Sequence, residues 1–347
     1  MDHTSLLEFA RRMPKAELHV HLEGAIRPET LQALAQCNGI TLPFQDAQGL
    51  EDFYRFRDFD HFIEVYITTT SCLRTASDYT FIAHEFGKEC ARQNIRYAEV
   101  TFTIKTNMRL AGLPWQIILE ALNAGREQAR AEFGVYWQWV FDIVRNNAAE
   151  EQEEVTSIAL AARPQGVVAL GLGGSEAGFP ARLFQASFER ARQAGLHRVP
   201  HAGEISGPES VWEALNLLHA ERIGHGVRSI EDPSLVETLR QRRIPLEVCP
   251  SSNIRLKVYS DYAQHPLRRL WDAGLFVTVN SDDPPMFGID LNHEYETLVT
   301  HFGFSAAELE QISLNALQAS FLDESEKSRL TAEFQQEFAT LRKELLL

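Results

Sequence analysis

A chain of 347 residues with 44% hydrophobic and 23% charged residues has ordinary globular composition and ample length for a large core. Its formal charge of −15, with no block of Lys and Arg, argues against a nucleic-acid backbone or a membrane surface as partner. Cys37, Cys72, Cys90 and Cys249 are scattered with no CxxC pair. No disulfide framework, apolar span or leader-like start is evident, so a cytoplasmic protein is expected.

Residues 6–13 read as a short helix running into Pro14, and the first strand is expected at about 17–22. Alternate residues of a strand share a face, so His19 and His21 project together while Leu18, Val20 and Leu22 face the other way. Two imidazoles over an apolar reverse face are half of a metal site, and equally a pair of structural histidines on an edge strand. Pro28 opens a helix that Gly39 and Pro43 punctuate. Residues 50–71 carry Phe53, Tyr54, Phe56, Phe59, Phe62 and Tyr66 at spacings that fit one helix with a greasy face, either core or a lid over a ligand. Another amphipathic helix covers 75–93.

Seven more strand-like runs follow, at 96–103, 136–144, 166–173, 198–202, 222–227, 246–250 and 276–281. Helix-like stretches at 115–133, 148–162, 181–194, 208–218, 233–242 and 266–273 lie among them, and 305–345 reads as two or three helices. Strands alternating with helices imply parallel βαβ units. Eight of them predict a (β/α)8 TIM barrel, α/β in class, with a helical insertion after the first strand and extra C-terminal helices. No repeat or linker divides the chain, so residues 1–347 are expected to form one domain. In such a barrel chemistry sits at the carboxyl ends of the strands. The first strand ends in His19 and His21, the fifth in His201 and Glu204, the sixth in His225 and the eighth in Asp282 and Asp283. Singly these are a core histidine, a turn residue or a helix cap. Together at one end they are hard to explain as packing, because buried charges are costly unless paired or bound to metal.

The same residues carry a family resemblance over nearly the whole chain. Pro14-Lys15-Ala16-Glu17-Leu18-His19-Val20-His21-Leu22-Glu23-Gly24, His201-Ala202-Gly203-Glu204, Arg222-Ile223-Gly224-His225-Gly226, Cys249-Pro250-Ser251-Ser252-Asn253 and Ser281-Asp282-Asp283-Pro284 stand in the order of the adenosine deaminase family of the amidohydrolase superfamily, which the chain resembles. The resemblance implies that His19, His21, His201 and Asp282 bind one zinc ion per chain. It implies that Glu204 protonates the purine nitrogen beside the reacting carbon, and that His225 acts on the attacking water as base or electrostatic partner. Asp283 would orient water or purine, His21 would also border the substrate, and Gly174 would offer its backbone amide to the purine. Glu23 would reach the sugar 5′ side. Gly171–Glu176, read Gly-Leu-Gly-Gly-Ser-Glu, departs from the family's usual Asp-Leu-Ala-Gly-Asp-Glu.

The chemistry agrees with the resemblance. Hydrolytic loss of ammonia from an aminopurine needs a water far more acidic than bulk, and zinc lowers its pKa to about 7. The ring nitrogen needs a proton from a carboxyl with a raised pKa, as expected of Glu204 in a dry pocket. Other zinc readings fit less well: His219-Ala220-Glu221 lacks the Pro-Cys-x-x-Cys partner of cytidine-type deaminases. No lysine lies at 167–174 to bridge two metals. The expected activity is zinc-dependent hydrolytic deamination of a small-molecule 6-aminopurine nucleoside, with adenosine or deoxyadenosine as the family default. 6-Aminodeoxyfutalosine, an intermediate of menaquinone synthesis, and adenine stay open as substrates, and a catalytically silent nucleoside-binding protein is the alternative of another class. Oligomeric state is not readable.

Overall fold

The computed structural model describes residues 3–347. Eight strands, β1 (Lys15–His21), β2 (Ile95–Phe102), β3 (Tyr136–Val144), β4 (Val167–Gly173), β5 (His197–Ala202), β6 (Ile223–His225), β7 (Leu246–Val248) and β8 (Val277–Val279), pair in parallel in sequence order. The ring closes just past β8, where Val20 bridges Asp282: the His21 N–H donates to the Asp282 carbonyl at 2.9 Å and the Asp282 N–H to the His19 carbonyl at 3.1 Å. The expected (β/α)8 barrel is therefore what the chain forms. Parallel strands covered by helices bury both faces and read as apolar runs. Trp137, Trp139 and Phe141 of β3 are fully buried.

Closure brings β1 and the end of β8 side by side, and this juxtaposition builds the site. The helix Ala306–Ala319 packs on both strands, and its Ser313 hydroxyl donates to the Pro14 carbonyl. Ser305 and Glu308 start it with a capping box. The tail resolves into this helix and Glu324–Leu345.

The insertion between β1 and β2 corrects one expectation. Residues 50–71 are not one helix: Ala47–Phe53 and Phe59–Thr70 are separated by a break, and each has its own cap, Asp46 accepting from the Gly49 N–H and Asp58 from the His61 N–H. The aromatic spacing of three runs across the break, so Phe53, Phe56 and Phe59 do not share a helix face. Phe56 is buried in a satellite cluster with Phe62, Met286 and Phe287. Phe59 and Phe62 border the cavity at the barrel mouth. The insertion is thus core at Phe56 and wall at Phe59. Helices Ile104–Ala111 and Leu291–Thr300 are further elements that the sequence reading passed over.

Candidate active site and metal centre

His19 and His21 end β1, His201 lies in β5, and Asp282 follows β8. One ligand atom from each falls within 4.8 Å of the others. Asp282 Oδ1 lies 3.4 Å from Nε2 of both His19 and His21. His19 Nε2 and His201 Nδ1 are buried with no hydrogen-bond partner, an expensive state that a cation would relieve. His19 and Asp282 are held from behind. His19 Nδ1 is 2.9 Å from Glu247 Oε2, which leaves Nε2 for the centre, and Ser252 donates to Asp282 Oδ2 at 2.6 Å. Glu247 in turn pairs with the buried Arg222, which also pairs with Glu99 and stacks on Phe321 at 3.9 Å. Three histidines and a carboxylate, with His19 and Asp282 braced in this way, fit a zinc ion. Burial lowers His21 to about 4, chiefly by desolvation, so its imidazole is neutral as a ligand must be.

Around this centre stand the acid and base candidates. Glu204 is buried, and desolvation first, then the charges of Asp282 and Glu176, push its carboxyl well above the usual range. His225 Nε2 is 3.7 Å from Glu204 Oε2 and 3.9 Å from Asp282 Oδ2. Burial pushes His225 down to about 3, which keeps it neutral. Asn253 spans the pair, 3.4 Å from Glu204 Oε1 and from His225 Nδ1, with its own Oδ1 held by His265 at 3.1 Å. Asp283 is also raised well above its usual range, by burial and then by Asp282. A Cβ on Gly24 would lie 1.7 Å from Asp283 Oδ1, so glycine there makes room for this carboxylate. His225 and Asp282 both sit at positive φ, 60° and 65°. Such backbone strain in non-glycine residues is held only where the surroundings over-determine it.

A cavity of ≈ 260 Å³ joins these groups. His21, His201, Glu204, His225, Asp282, Asp283 and Gly174 border it, and Gly174 has φ +83°. His19 lies just behind the wall. Glu23 stands apart from these. It is fully buried and off the wall, its Oε1 accepting from the Thr103 N–H at 3.0 Å and from Asn107 Nδ2 at 2.6 Å. Its Oε2 is buried with no hydrogen-bond partner.

Several residues at the site escaped the sequence reading. The Glu176 carboxylate accepts from the N–H groups of Gly203, Glu204, Ile205 and Ser206 and from the Ser210 hydroxyl, at 2.7–3.1 Å. Arg145 donates to the His201 carbonyl at 2.6 Å. Asp142, pushed up to about 6 by burial, borders the cavity. Only Glu176 had a signal, as the acid that ends the Gly-rich run after β4.

A profile of the family described as adenosine deaminase matches residues 14–337. A Streptomyces avermitilis protein named aminodeoxyfutalosine deaminase is 43% identical over 330 residues, covering 94% of this chain and 92% of its own. The crystal structure of an adenine deaminase from Arthrobacter aurescens superposes with a TM-score of 0.89 at 34% identity, over 93% of this chain and 98% of that one. An amidohydrolase from Burkholderia ambifaria with bound Zn superposes with a TM-score of 0.90 at 29% identity, over 98% and 94% of the two chains.

Proposed function

The chain belongs to the adenosine deaminase family, and from that premise we propose that it is a zinc-dependent hydrolytic deaminase of a 6-aminopurine nucleoside extended beyond the sugar, of the aminodeoxyfutalosine kind. The observation that carries the reading is the convergence of a four-residue metal centre, a buried Glu204 whose carboxyl is held well above its usual range and a buried His225 on one cavity. The overall reaction replaces the purine amino group by oxygen from water and releases ammonia.

His19, His21, His201 and Asp282 would hold the zinc, which when bound acts as a Lewis acid on water. The chain's own residues do the rest. Glu204 gives its proton to the ring nitrogen beside the carbon under attack, which relieves the negative charge that the attack drives onto the ring. His225, neutral and 3.9 Å from Asp282, takes the proton of the attacking water. Asp283 orients the reacting groups, and the Gly174 backbone amide faces the purine. The amino group then takes the proton from His225 and leaves as ammonia, while the hydroxyl proton on the same carbon passes to the Glu204 carboxylate, which gives the oxo product and restores both side chains. The aromatic wall of Phe59 and Phe62 excludes water from this step.

The extended nucleoside is favoured over adenosine and adenine by the shape of the cavity and by the 43% identity to the aminodeoxyfutalosine deaminase, against 39% or less to the adenine deaminases. A bare base would fill only the polar inner part and leave Phe59, Ile63 and Ile67 uncovered. Adenine is the second reading, because Glu23 lies off the cavity wall with its Oε1 held by the Thr103 N–H and Asn107. The test is turnover of aminodeoxyfutalosine, adenosine, deoxyadenosine and adenine by ultraviolet absorbance, with ammonia release as a check. The expected order of kcat/KM places the extended nucleoside first and adenine last. Adenine in first place would overturn the substrate assignment, and no turnover of any of the four by zinc-loaded protein would overturn the activity.

A further inference from the structure

The turn after the helix Ala306–Ala319 places Phe321 at the amino end of the barrel, where the strands begin. Phe321 stacks on His197, the first residue of β5, with ring centroids 3.8 Å apart and planes 5° from parallel. The Arg222 guanidinium lies 3.9 Å from the centre of the same ring, and Arg222 immediately precedes β6. Its Nη1 donates to the Ala319 carbonyl at 2.9 Å, its Nη2 to Glu99 Oε2 and its Nε to Glu247 Oε1 at 2.6 Å. The Phe321 N–H donates to the other Glu99 oxygen at 2.6 Å. Glu247 reaches on to His19 Nδ1 with its second oxygen, at 2.9 Å. Arg222, Glu99 and Glu247 are no more than 1% exposed, so bulk water cannot stand in for a lost partner.

We propose that this turn locks the metal centre from the opposite end of the barrel. Phe321 and the Ala319 carbonyl fix the Arg222 guanidinium, and Arg222 acts as a positioning residue: through Glu247 it sets the His19 ring, and with it how firmly zinc is held. The inference rests on the reading of His19, His21, His201 and Asp282 as zinc ligands. A guanidinium suits the part, since its planar fork fixes the angle between two carboxylates, which a flexible ammonium cannot. The Phe321 ring gives that fork a flat face to rest on. A hydrogen bond to a ligating histidine then fixes the tautomer and the direction of the ring. The amino face of such a barrel ordinarily serves stability, but here its contacts run on to a metal ligand. Coupling of this kind is reciprocal: a turn that tightens zinc is itself tightened by zinc.

The test measures zinc affinity by chelator competition, at a temperature where the metal-free proteins are folded. Glu247→Gln should weaken zinc by about 10–100-fold, the range for a partner of a ligating histidine. Phe321→Leu, farther out, should weaken it by about 3–10-fold, and Phe321→Tyr, which keeps the ring face, should stay within about twofold of wild type. In the Glu247→Gln background Phe321→Leu should have little further effect, because the route is already cut. Hydrogen exchange on the wild type needs no variant: zinc should slow the Phe321 N–H more than those of Ser325 and Glu326, which bond to Asp323. Wild-type affinity in Phe321→Leu, an equal loss in Phe321→Tyr, an equal loss in both backgrounds, or no extra protection at Phe321 would each overturn the proposal. A turn that serves stability alone would lower the melting temperature of the metal-free protein and leave zinc affinity unchanged. Wild type that takes up no zinc would overturn the metal reading as well.

Discussion

Glu204 serves an aminopurine only while it keeps its proton, and two kinds of contact decide that. Burial disfavours its charge, and Asp282 and Glu176 add repulsion. Glu204→Gln keeps the shape and loses the transferable proton. The expected result is zinc retained and kcat down by about 10²–10⁴-fold, the range for a positioned general acid. Metal analysis beside steady-state kinetics checks it, and a variant within a few-fold of wild type would assign the proton to another group. Glu176 acts one step back. Its carboxylate gathers four successive backbone N–H groups of residues 203–206, and so holds the loop that carries Glu204. In Glu176→Gln one oxygen becomes an NH2 that faces donors, which leaves buried N–H groups unpaired. We expect kcat to fall at least about tenfold with KM for adenosine little changed, the pattern of a misplaced acid rather than lost ground-state binding. Hydrogen exchange at residues 203–206 should speed up while the strands stay protected. Unchanged exchange there would mean that the loop holds itself.

At the scale of elements, the insertion after β1 divides its aromatics between stability and binding. Phe56 packs edge-on against Phe62 at 5.3 Å and against Phe287 at 6.0 Å, off the cavity wall. Phe56→Ala is expected to destabilise by roughly 3–5 kcal/mol, nearer the lower figure because a satellite cluster can collapse into the gap. Phe59 is half-buried and on the wall, so Phe59→Ala should raise KM for an extended nucleoside several-fold with a small loss of stability. Thermal denaturation and kinetics on the pair check this, and the reverse pattern would exchange their roles. The sequence reading merged the two helices because the spacing of three continued through the break, while Asp46 and Asp58, the caps that mark two starts, resemble any other loop acids. The site's front was legible for a physical reason. His19 and His21 alternate on one strand, and Asp282 follows a short apolar run, so periodicity alone places them at strand ends. Its back was not. Glu247, Arg145 and Glu176 act on groups 228, 56 and about 30 residues away in the chain, a pairing that exists only after the barrel closes. The helix Ile104–Ala111 directly follows β2 with no Gly or Pro between, so no punctuation announces it.

Across the whole molecule the barrel collects acids, and burial shifts several of them towards the protonated form. Burial first raises Glu23 to about 7, Asp142 to about 6 and Glu294 to about 8, and it raises Glu204 and Asp283 as well. The formal charge of −15 therefore overstates the charge of the folded chain at neutral pH. Linkage gives the consequence its sign. A carboxyl whose folded pKa lies above its unfolded value binds more protons in the native state between the two, so its contribution makes stability fall as pH rises through that window. Glu294 is the cleanest case. It sits on Leu291–Thr300, its Oε1 accepts from the Ser251 N–H at 2.9 Å, and its Oε2 is buried without a partner. Desolvation is the leading cause of its shift, and the charges of Glu17 and Asp282 come last, so a cation on Asp282 leaves the direction unchanged. Its window runs from the ordinary value of 4.5 to about 8. Glu294→Gln supplies a neutral side chain of the same size that keeps an oxygen for the Ser251 N–H. The melting temperatures of wild type and variant should therefore nearly coincide at pH 4.5 and diverge in the variant's favour through pH 8, beyond which the gap levels off. Zinc-loaded protein scanned at pH 4.5, 6, 7 and 8.5 measures it. A gap that does not grow with pH would show that Glu294 enters the fold as its anion, with a partner for Oε2.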